Sequence, residues 1–202
     1  MKYSTRDLVT LAVFGALWGF SEISLGTVIK SLNIPLSGVV LSTIGLIIAL
    51  TGRIFVPQKG STLFIGSLAM LLKLFSLGGV VMGPMIGIFS EAIVAETVLS
   101  LLGKPRKLTM LLAGGLGVLW VLIQPFVTGP ILFGRTVFDV WINMLIMGGR
   151  ILGISDTGGL WIVSFLIIIH LCIGVFAGWL GWKLGNILKS RLGISSTLGA
   201  AV

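Results

Sequence analysis

Long runs of apolar residues separated by short polar segments dominate the pattern of this chain. The runs lie near residues 7–28, 37–55, 61–76, 84–102, 108–128 and 158–186. Most approach the length of about 20 residues that an α-helix needs to cross a bilayer. Short clusters of Gly, Pro, Lys and Arg stand between them, and such clusters end helices. The pattern therefore predicts an all-α integral membrane protein with six transmembrane helices.

The segment 129–157 is too long for a simple connection between two spans. It carries its own apolar stretch, VFDVWINMLIM at 137–147, in which Asp139 and Asn143 stand one helical turn apart. We expect an extra helical segment here, an interfacial or lid helix on the outer face between spans 5 and 6. A seventh full span is the alternative, but it would move the basic C-terminal residues to the outside.

Basic residues show which side of the membrane each connection occupies. The chain has 14 Lys and Arg against 6 Asp and Glu, an excess that in a soluble protein would suggest nucleic acid. With the N-terminus inside, the inner segments hold Lys2, Arg6, Arg53, Lys59, Lys104, Arg106, Lys107, Lys183, Lys189 and Arg191. Only Asp7 among the acids is then expected on the inside. This asymmetry predicts an N-in, C-in, multi-pass protein of the cell membrane and no binding to nucleic acid.

The composition fits one membrane domain. Of the 202 residues, 56% are hydrophobic and 10% are charged, far from the balance of a soluble protein. We expect one helical bundle over residues 1–202. Ser4 and Asp7 form a capping-box pattern that starts the first helix near residue 5, and no clean cleavage site follows that helix, so we expect it to remain in the mature protein.

Two carboxylates stand five residues apart in the apolar stretch SEAIVAETVL at 90–99. Ionisable groups within spans are costly and usually functional, so Glu91 and Glu96 are candidate ligand contacts. At 100° per residue they lie about 140° apart on a helix and do not share one small pocket. We expect one of the two to face a ligand and the other to pair within the bundle. Lys73 is a plausible ion-pair partner, and the alternative is a Glu–Lys pair that only fixes helix packing.

The first span contains a further acid, Glu22, one helical turn after Trp18. An indole face beside a carboxylate suits a flat cationic ligand, through stacking and a charge-assisted hydrogen bond. The alternative is an interfacial Trp and a Glu22 that pairs with Lys30.

Small residues follow one face of the first helix at Ala12, Ala16 and Gly19. Such a face lets another helix approach closely, within the chain or from an external membrane partner. The last span contains a similar series of glycines at 174, 178, 181 and 185. The glycines of AGGLGVLW at 113–120 also indicate helix packing and not a phosphate-binding loop.

His170 is the single histidine and lies in the middle of the last span. It is either a hydrogen-bonding ligand contact or a satisfied core residue. A metal site with Cys172 is not expected, because positions i and i+2 of a helix face apart. The chain has no catalytic or ATP-binding motif, so we expect neither an enzyme nor a bound cofactor.

Several stretches together resemble the substrate-binding S component of energy-coupling factor (ECF) vitamin transporters. They are RDLVTLAVFGALWG at 6–19, LFSLGGVVMGPMIGIFSEAIVAETV at 74–98 and HLCIGVFAGWLGWKLGNIL at 170–188. The stretch PQKGSTLFIGSLAMLLKL at 57–74 and the Gly-Pro segment before Glu96 are most similar to the thiamine and hydroxymethylpyrimidine type. The chain departs from the family pattern in its long 129–157 segment.

The resemblance implies a prokaryotic binding protein without chemistry of its own, which captures a small vitamin or precursor near the outer surface. The Ala12 and Ala16 face would dock a transmembrane coupling protein driven by two cytoplasmic ATPases. By position, Glu96 would be the ligand-facing acid and His170 a polar site residue. Two alternatives remain open: a membrane enzyme on a lipid or prenyl substrate with Glu91 and Glu96 as acid and base, and a stand-alone secondary transporter.

Overall fold

The computed structural model describes residues 3–32, 36–76, 82–153 and 159–193. In these ranges the chain forms seven α-helices and no strand. The helices are α1 (Thr5–Ser31), α2 (Ser37–Phe55), α3 (Ser61–Leu72), α4 (Met82–Leu101), α5 (Lys107–Phe133), α6 (Val137–Leu152) and α7 (Leu160–Arg191), and a 3₁₀ turn at Lys73–Phe75 continues α3. The predicted all-helical class is confirmed.

Five of these helices are long and apolar enough to cross a membrane. They span Thr5–Ile29, Ser37–Phe55, Met82–Leu101, Lys107–Phe133 and Leu160–Arg191. The predicted third span, 61–76, is a shorter apolar helix over Ser61–Phe75. The count of six crossings and the N-in, C-in orientation stay predictions.

Local signals set the ends of the helices. The backbone N–H of Asp7 donates to Ser4 Oγ at 3.1 Å, and the N–H of Ser4 donates to Asp7 Oδ2 at 3.0 Å, which confirms the predicted capping box of α1. The helix predicted near 137–147 is α6, and a second capping box of Thr136 and Asp139 starts it. These hydrogen bonds lower the pKa of the Asp139 carboxyl below its usual value. Gly153 ends α6 with φ of 68°, a left-handed conformation that favours glycine.

Helix α2 lies at the centre of the bundle, in contact with α1, α3, α4, α5 and α7. The closest crossing is that of α5 and α7, where backbone meets backbone: a Cβ added at Gly178 would lie 2.2 Å from the carbonyl oxygen of Met110. The predicted packing role of the glycines in these two helices is confirmed. Helix α6 packs mainly against α5 and α7.

Different helix termini meet at the two ends of the bundle. We name one the Arg53 end, where α1 begins, α2 ends and α3 begins. The opposite end, where α5 runs into α6, is the α6 end. The orientation predicted from the basic residues makes the Arg53 end cytoplasmic and the α6 end external.

Candidate functional site

Glu96 of α4 lies at the Arg53 end in a buried ion pair with α2. Its Oε2 is 3.1 Å from Arg53 Nη1, and the two residues are only 7% and 1% exposed. The same Nη1 also donates to the backbone carbonyl of Gln58 in the connection to α3. Among the described residues, this is one of two ion pairs that the geometry supports.

The Glu96 carboxylate also caps the start of α3. It accepts the backbone N–H of Gly60 at 2.8 Å and that of Thr62 at 3.0 Å, and it accepts the Ser100 hydroxyl one turn along α4. A carboxylate at a helix N-terminus satisfies N–H groups that have no partner within the helix. Glu96 therefore joins α2, α3 and α4 and lines neither of the clefts described below.

This placement corrects three predictions about Glu96. It was expected to face a ligand, but its oxygens are engaged by Arg53 and by the start of α3. It was expected in the outer half of its span, but it lies at the predicted inner end. The enzyme alternative paired it with Glu91 as acid and base, but Glu91 lines a cleft toward the α6 end of the bundle.

Lys73 and Glu22 form the second buried ion pair. Lys73 Nζ lies 3.3 Å from Glu22 Oε2 and donates to the backbone carbonyl of Glu22 at 2.6 Å. The side chain of Lys73 is 4% exposed and that of Glu22 is 6% exposed. Lys73 thus ties the end of α3 to α1, instead of pairing with Glu91 or Glu96 as the sequence suggested.

Glu91 lines a cleft between α1, α2, α4 and α5, which we name the carboxylate cleft. The cleft has a volume of about 340 Å³. Its polar wall is formed by Glu22, Ser42, Glu91 and Gln124. Glu91 and Ser42 are 5% and 2% exposed and lie near each other, and neither Glu91 Oε2 nor Ser42 Oγ makes a hydrogen bond of normal geometry with a described residue. Buried polar atoms without a partner are rare, and at the wall of a cleft they indicate a place for a ligand.

Gln124 of α5 supports the same cleft. Its Nε2 donates to the backbone carbonyl of Gly83 at 2.8 Å, which ties α5 to the start of α4. The absence of a side chain at Gly87 leaves space for the Gln124 amide, because a Cβ at Gly87 would lie 2.7 Å from Gln124 Oε1. Gly87, one helical turn before Glu91 on α4, therefore positions a polar side chain of the cleft.

His170 lies in a second cleft, between α2, α5, α6 and α7, which we name the histidine cleft. Its volume is about 350 Å³, and apolar residues such as Phe126, Met144 and Met147 form much of its wall. His170 is 1% exposed, and its Nδ1 lies 2.7 Å from the carbonyl oxygen of Leu166. Since a carbonyl only accepts, we assign the proton to Nδ1. The structure thus places His170 at the wall of a cleft.

The two clefts adjoin at the α6 end. Four residues line both: Ser37 and Gly38 at the start of α2, and Val121 and Phe133 on α5. Together the clefts bring Glu22, Glu91 and His170 to one end of the bundle. Three of the six predicted ligand contacts therefore line these two neighbouring clefts.

Trp18 does not belong to this surface. It is fully buried in the core with Leu11, Ile65 and Ala92, and a Cβ at Gly45 would lie 2.0 Å from its Nε1. The predicted stacking of a ligand on Trp18 is wrong, because the indole fills the space that glycine leaves between α1 and α2.

The small residues on one face of α1 differ in their exposure. Ala16 is exposed and Ala12 is half-buried, as a docking surface requires. Gly19 is buried, and a Cβ there would lie 2.7 Å from Leu72 Cδ1. The docking prediction is therefore wrong for Gly19, which packs against α3 within the chain.

Sequence reasoning missed Arg53, Ser42 and Gln124. Ser42 and Gln124 are polar residues inside apolar spans, and that signal was available. Arg53 looked like an ordinary basic residue at an inner helix end. Its burial depends on how α2 and α4 pack, which no local pattern reveals.

Among the ranges that the structure describes, no group of three or more His, Cys, Asp or Glu residues is placed to hold a metal ion. Cys172 is exposed, as expected of a residue two positions from the buried His170. The arrangement at the α6 end can bind a ligand through a carboxylate, a hydroxyl, an amide and an imidazole. Comparison with family models, with curated proteins and with solved structures finds no match to this chain.

Proposed function

We propose that this protein is a membrane-embedded binding subunit that captures a small cationic, nitrogen-containing vitamin or precursor from the outer face. The observation that carries the proposal is Glu91. Its Oε2 is buried, has no partner among the described residues, and belongs to the wall of an open cleft. A carboxylate in this position costs free energy unless a ligand donates to it.

The charges around the cleft favour a positively charged ligand. Lys73 is engaged with Glu22, and no described cation lies within ion-pair distance of Glu91. Glu22 lines the same cleft as Glu91. If all three groups are ionised, two carboxylates share one ammonium, so a ligand cation would neutralise the remaining charge.

The size of the cleft supports a small ligand. A volume of about 340 Å³ lies near the lower limit of ligand pockets, which run from about 300 to 1,000 Å³. A one- or two-ring molecule is of this size, whereas a lipid is longer.

The resemblance to ECF S components extends the proposal to partners. In that family the binding subunit is driven by a transmembrane coupling protein and two cytoplasmic ATPases, and we propose the same for this chain. The exposed Ala16, next to exposed Val13 and Leu17, leaves a surface of α1 on which such a partner fits. The plasma membrane of a prokaryote is the corresponding location.

A stand-alone secondary transporter is the second candidate, because Glu22, Lys73 and Glu91 could couple transport to an ion gradient. The membrane-enzyme alternative required Glu91 and Glu96 to act together as acid and base. The two side chains do not share a site, because Glu96 lies at the Arg53 end. Uptake by vesicles that contain this protein alone, driven by a proton gradient, would support the second candidate over the first.

Native mass spectrometry of the purified protein tests the proposal. The protein is measured alone and with a panel of vitamins and pyrimidine precursors, beside the variants Glu91→Gln and Asp139→Asn. Asp139 is an exposed carboxylate on α6 that lines neither cleft, so Asp139→Asn is a matched control. We expect a ligand that the control retains and Glu91→Gln loses. A protein that binds nothing in the panel, or a Glu91→Gln variant with full affinity, would refute the proposal.

A further inference from the structure

We infer that the start of α5 and the end of α7 form a binding site for an anionic phospholipid, in the leaflet at the Arg53 end of the bundle. Lys107 and Lys183 bind the phosphate of the headgroup, and apolar side chains of the same two helices contact the acyl chains. The inference is independent of the proposed function, because the two lysines line neither the carboxylate cleft nor the histidine cleft.

A group of basic side chains meets at this place. Helices α5 and α7 are antiparallel, since Gly178 lies against Met110 and Gly174 lies against Gly114. The start of α5 and the end of α7 therefore lie side by side. The basic residues there are Lys104, Arg106, Lys107, Lys183, Lys189 and Arg191.

Acidic side chains do not balance this charge. Among the residues that the structure describes, the acids at the Arg53 end are Asp7 and Glu96, and both are engaged elsewhere. Asp7 accepts hydrogen bonds from Ser4 and Gln58, and Glu96 pairs with Arg53. Neither of the two ion pairs within the described ranges contains one of the six basic residues. The surface is therefore complementary to an anionic partner.

Two tryptophans of α7 hold two of the lysines in place. Lys107 Nζ lies 5.8 Å from the ring centre of Trp182, and Lys183 Nζ lies 4.9 Å from that of Trp179. Both distances fit a cation–π contact. An indole face occupies one side of an ammonium group and leaves N–H donors for phosphate oxygens. Because Trp182 and Lys183 are consecutive residues, the two ammonium groups are held on neighbouring parts of one surface.

The apolar surface beside the lysines favours a lipid over a soluble anion. Phe176 is exposed one turn before Trp179, toward the middle of α7, and the two ring centres are 5.9 Å apart. Leu108 and Leu112 are exposed on the first two turns of α5. Both helices are long enough to cross a membrane, so these side chains contact acyl chains. Tryptophan is enriched at the depth of the headgroups, which places the phosphate beside Trp179 and Trp182.

An acidic protein is the alternative occupant of this charged surface. Such a partner could reach the outermost basic residues, such as Arg106 and Arg191, from the aqueous side. It would not reach Phe176 or Leu112, which lie inside the spans. A phospholipid uses the charged and the apolar parts together, and their continuity favours it.

Native mass spectrometry of the delipidated full chain in detergent tests the site. The protein is titrated with 1-palmitoyl-2-oleoyl phosphatidylglycerol, which is anionic, and with the phosphatidylcholine that has the same chains and no net charge. We expect the first phosphatidylglycerol to bind about tenfold more tightly than phosphatidylcholine. The double variant Lys107→Gln with Lys183→Gln should lose this preference. Lys107→Arg with Lys183→Arg should keep it, because arginine retains the charge and the contact with the indole.

Arg6→Gln with Lys59→Gln is the matched control, because it removes the same charge at the same end of the bundle. Both residues are exposed, and they lie on α1 and on the connection between α2 and α3. Helix α1 packs mainly against α2 and α3, away from α5 and α7. The control should keep the tenfold preference. An equal loss in the control and in the double lysine variant would show an effect of total charge, and the inference would be wrong.

Fluorescence quenching tests the position of the acyl chains. The protein is placed in phosphatidylcholine vesicles that contain a minor fraction of phosphatidylglycerol with brominated chains, or the same fraction of brominated phosphatidylcholine. We expect stronger quenching by the brominated phosphatidylglycerol, and Trp179→Phe should lose part of that difference. Trp161→Phe, at the opposite end of α7, is the control and should retain it.

Three outcomes would overturn the inference. Equal affinity of the wild type for the two lipids would leave only an acidic protein as the occupant of the charges. Displacement of phosphatidylglycerol by inorganic phosphate would show a site for a free anion, without a contribution from the chains. Equal quenching by the two brominated lipids would place the bound lipid elsewhere. None of these outcomes bears on the proposed function, since the altered residues lie outside both clefts.

Discussion

Glu96 Oε2 lies 3.1 Å from Arg53 Nη1 in the interior of the bundle, and this pair connects the end of α2 to α4. Because the same carboxylate accepts two backbone N–H groups at the start of α3, one side chain holds three helices in register. Five residues earlier on the same helix, Glu91 lines a cleft and has an oxygen without a partner. Two similar acids on one helix therefore have opposite roles.

Glu96→Gln should destabilise the protein strongly. The substitution removes the charge that Arg53 needs and turns an amide N–H₂ toward the N–H donors of Gly60 and Thr62. Breaking a buried ion pair in this way costs about 3–5 kcal/mol. The free energy of unfolding in detergent micelles, measured by denaturant titration, checks this value.

Ser100→Ala is the control for Glu96→Gln, because it removes one hydrogen bond to the same carboxylate and keeps the ion pair. We expect a loss of about 1 kcal/mol for it. Equal losses for the two variants would mean that Arg53 contributes nothing to the role of Glu96. Ligand affinity, corrected for the folded fraction, should stay unchanged in both.

Lys73→Met should leave a buried carboxylate without its ammonium. Lys73 donates to both the carboxylate and the backbone carbonyl of Glu22, so the single variant should lose about 3 kcal/mol in the free energy of unfolding. The double variant Glu22→Gln with Lys73→Met removes the uncompensated charge and should recover part of that loss. Denaturant titrations of the wild type, both single variants and the double variant give the coupling energy. A double variant less stable than Lys73→Met would contradict the assigned pairing.

Much of the fold followed from the sequence because apolar runs and capping residues are local signals. Five of the predicted spans correspond to helices long enough to cross a membrane, and Thr136 and Asp139 start α6 where the apolar stretch predicts a helix. The packing role of Gly174 and Gly178 was also predictable, since small residues at a spacing of four permit close approach. The shortness of α3 was not, because the 3₁₀ turn from Lys73 ends it within an apolar run.

The site was predicted less well, for a physical reason. The spacing of Glu91 and Glu96 on one helix predicts that their side chains point in different directions. It does not predict which residues of the neighbouring helices each side chain contacts. The partner of Glu96 is Arg53, 43 positions away, and the partner of Lys73 is Glu22, 51 positions away. Trp18 was expected to stack on a ligand or to lie at the membrane interface, and only its packing against glycines of α2 and α3 shows that the core encloses it.

Ala16→Phe and Gly19→Phe should separate partner docking from internal packing. Ala16 is exposed, so Ala16→Phe should change the free energy of unfolding by less than about 0.5 kcal/mol. Gly19 meets Leu72, so Gly19→Phe should destabilise by about 3 kcal/mol or prevent folding. Under the proposed function, Ala16→Phe also abolishes uptake in cells while the purified variant binds its ligand normally. Normal uptake by Ala16→Phe would refute docking at this face.

Glycine-to-alanine substitutions test the crossing of α5 and α7 with a control on the next residue. A Cβ at Gly114 would lie 2.3 Å from the carbonyl oxygen of Gly174, so Gly114→Ala must push the two backbones apart and should cost about 3 kcal/mol. At Gly115 the nearest atom would be Val175 Cγ2 at 3.4 Å, an ordinary contact. Gly115→Ala should therefore be neutral or stabilise by up to about 1 kcal/mol, since alanine loses less backbone entropy in a helix. Thermal unfolding of the two variants in one detergent measures the contrast, and a stable Gly114→Ala variant would show that α5 and α7 do not cross in direct backbone contact.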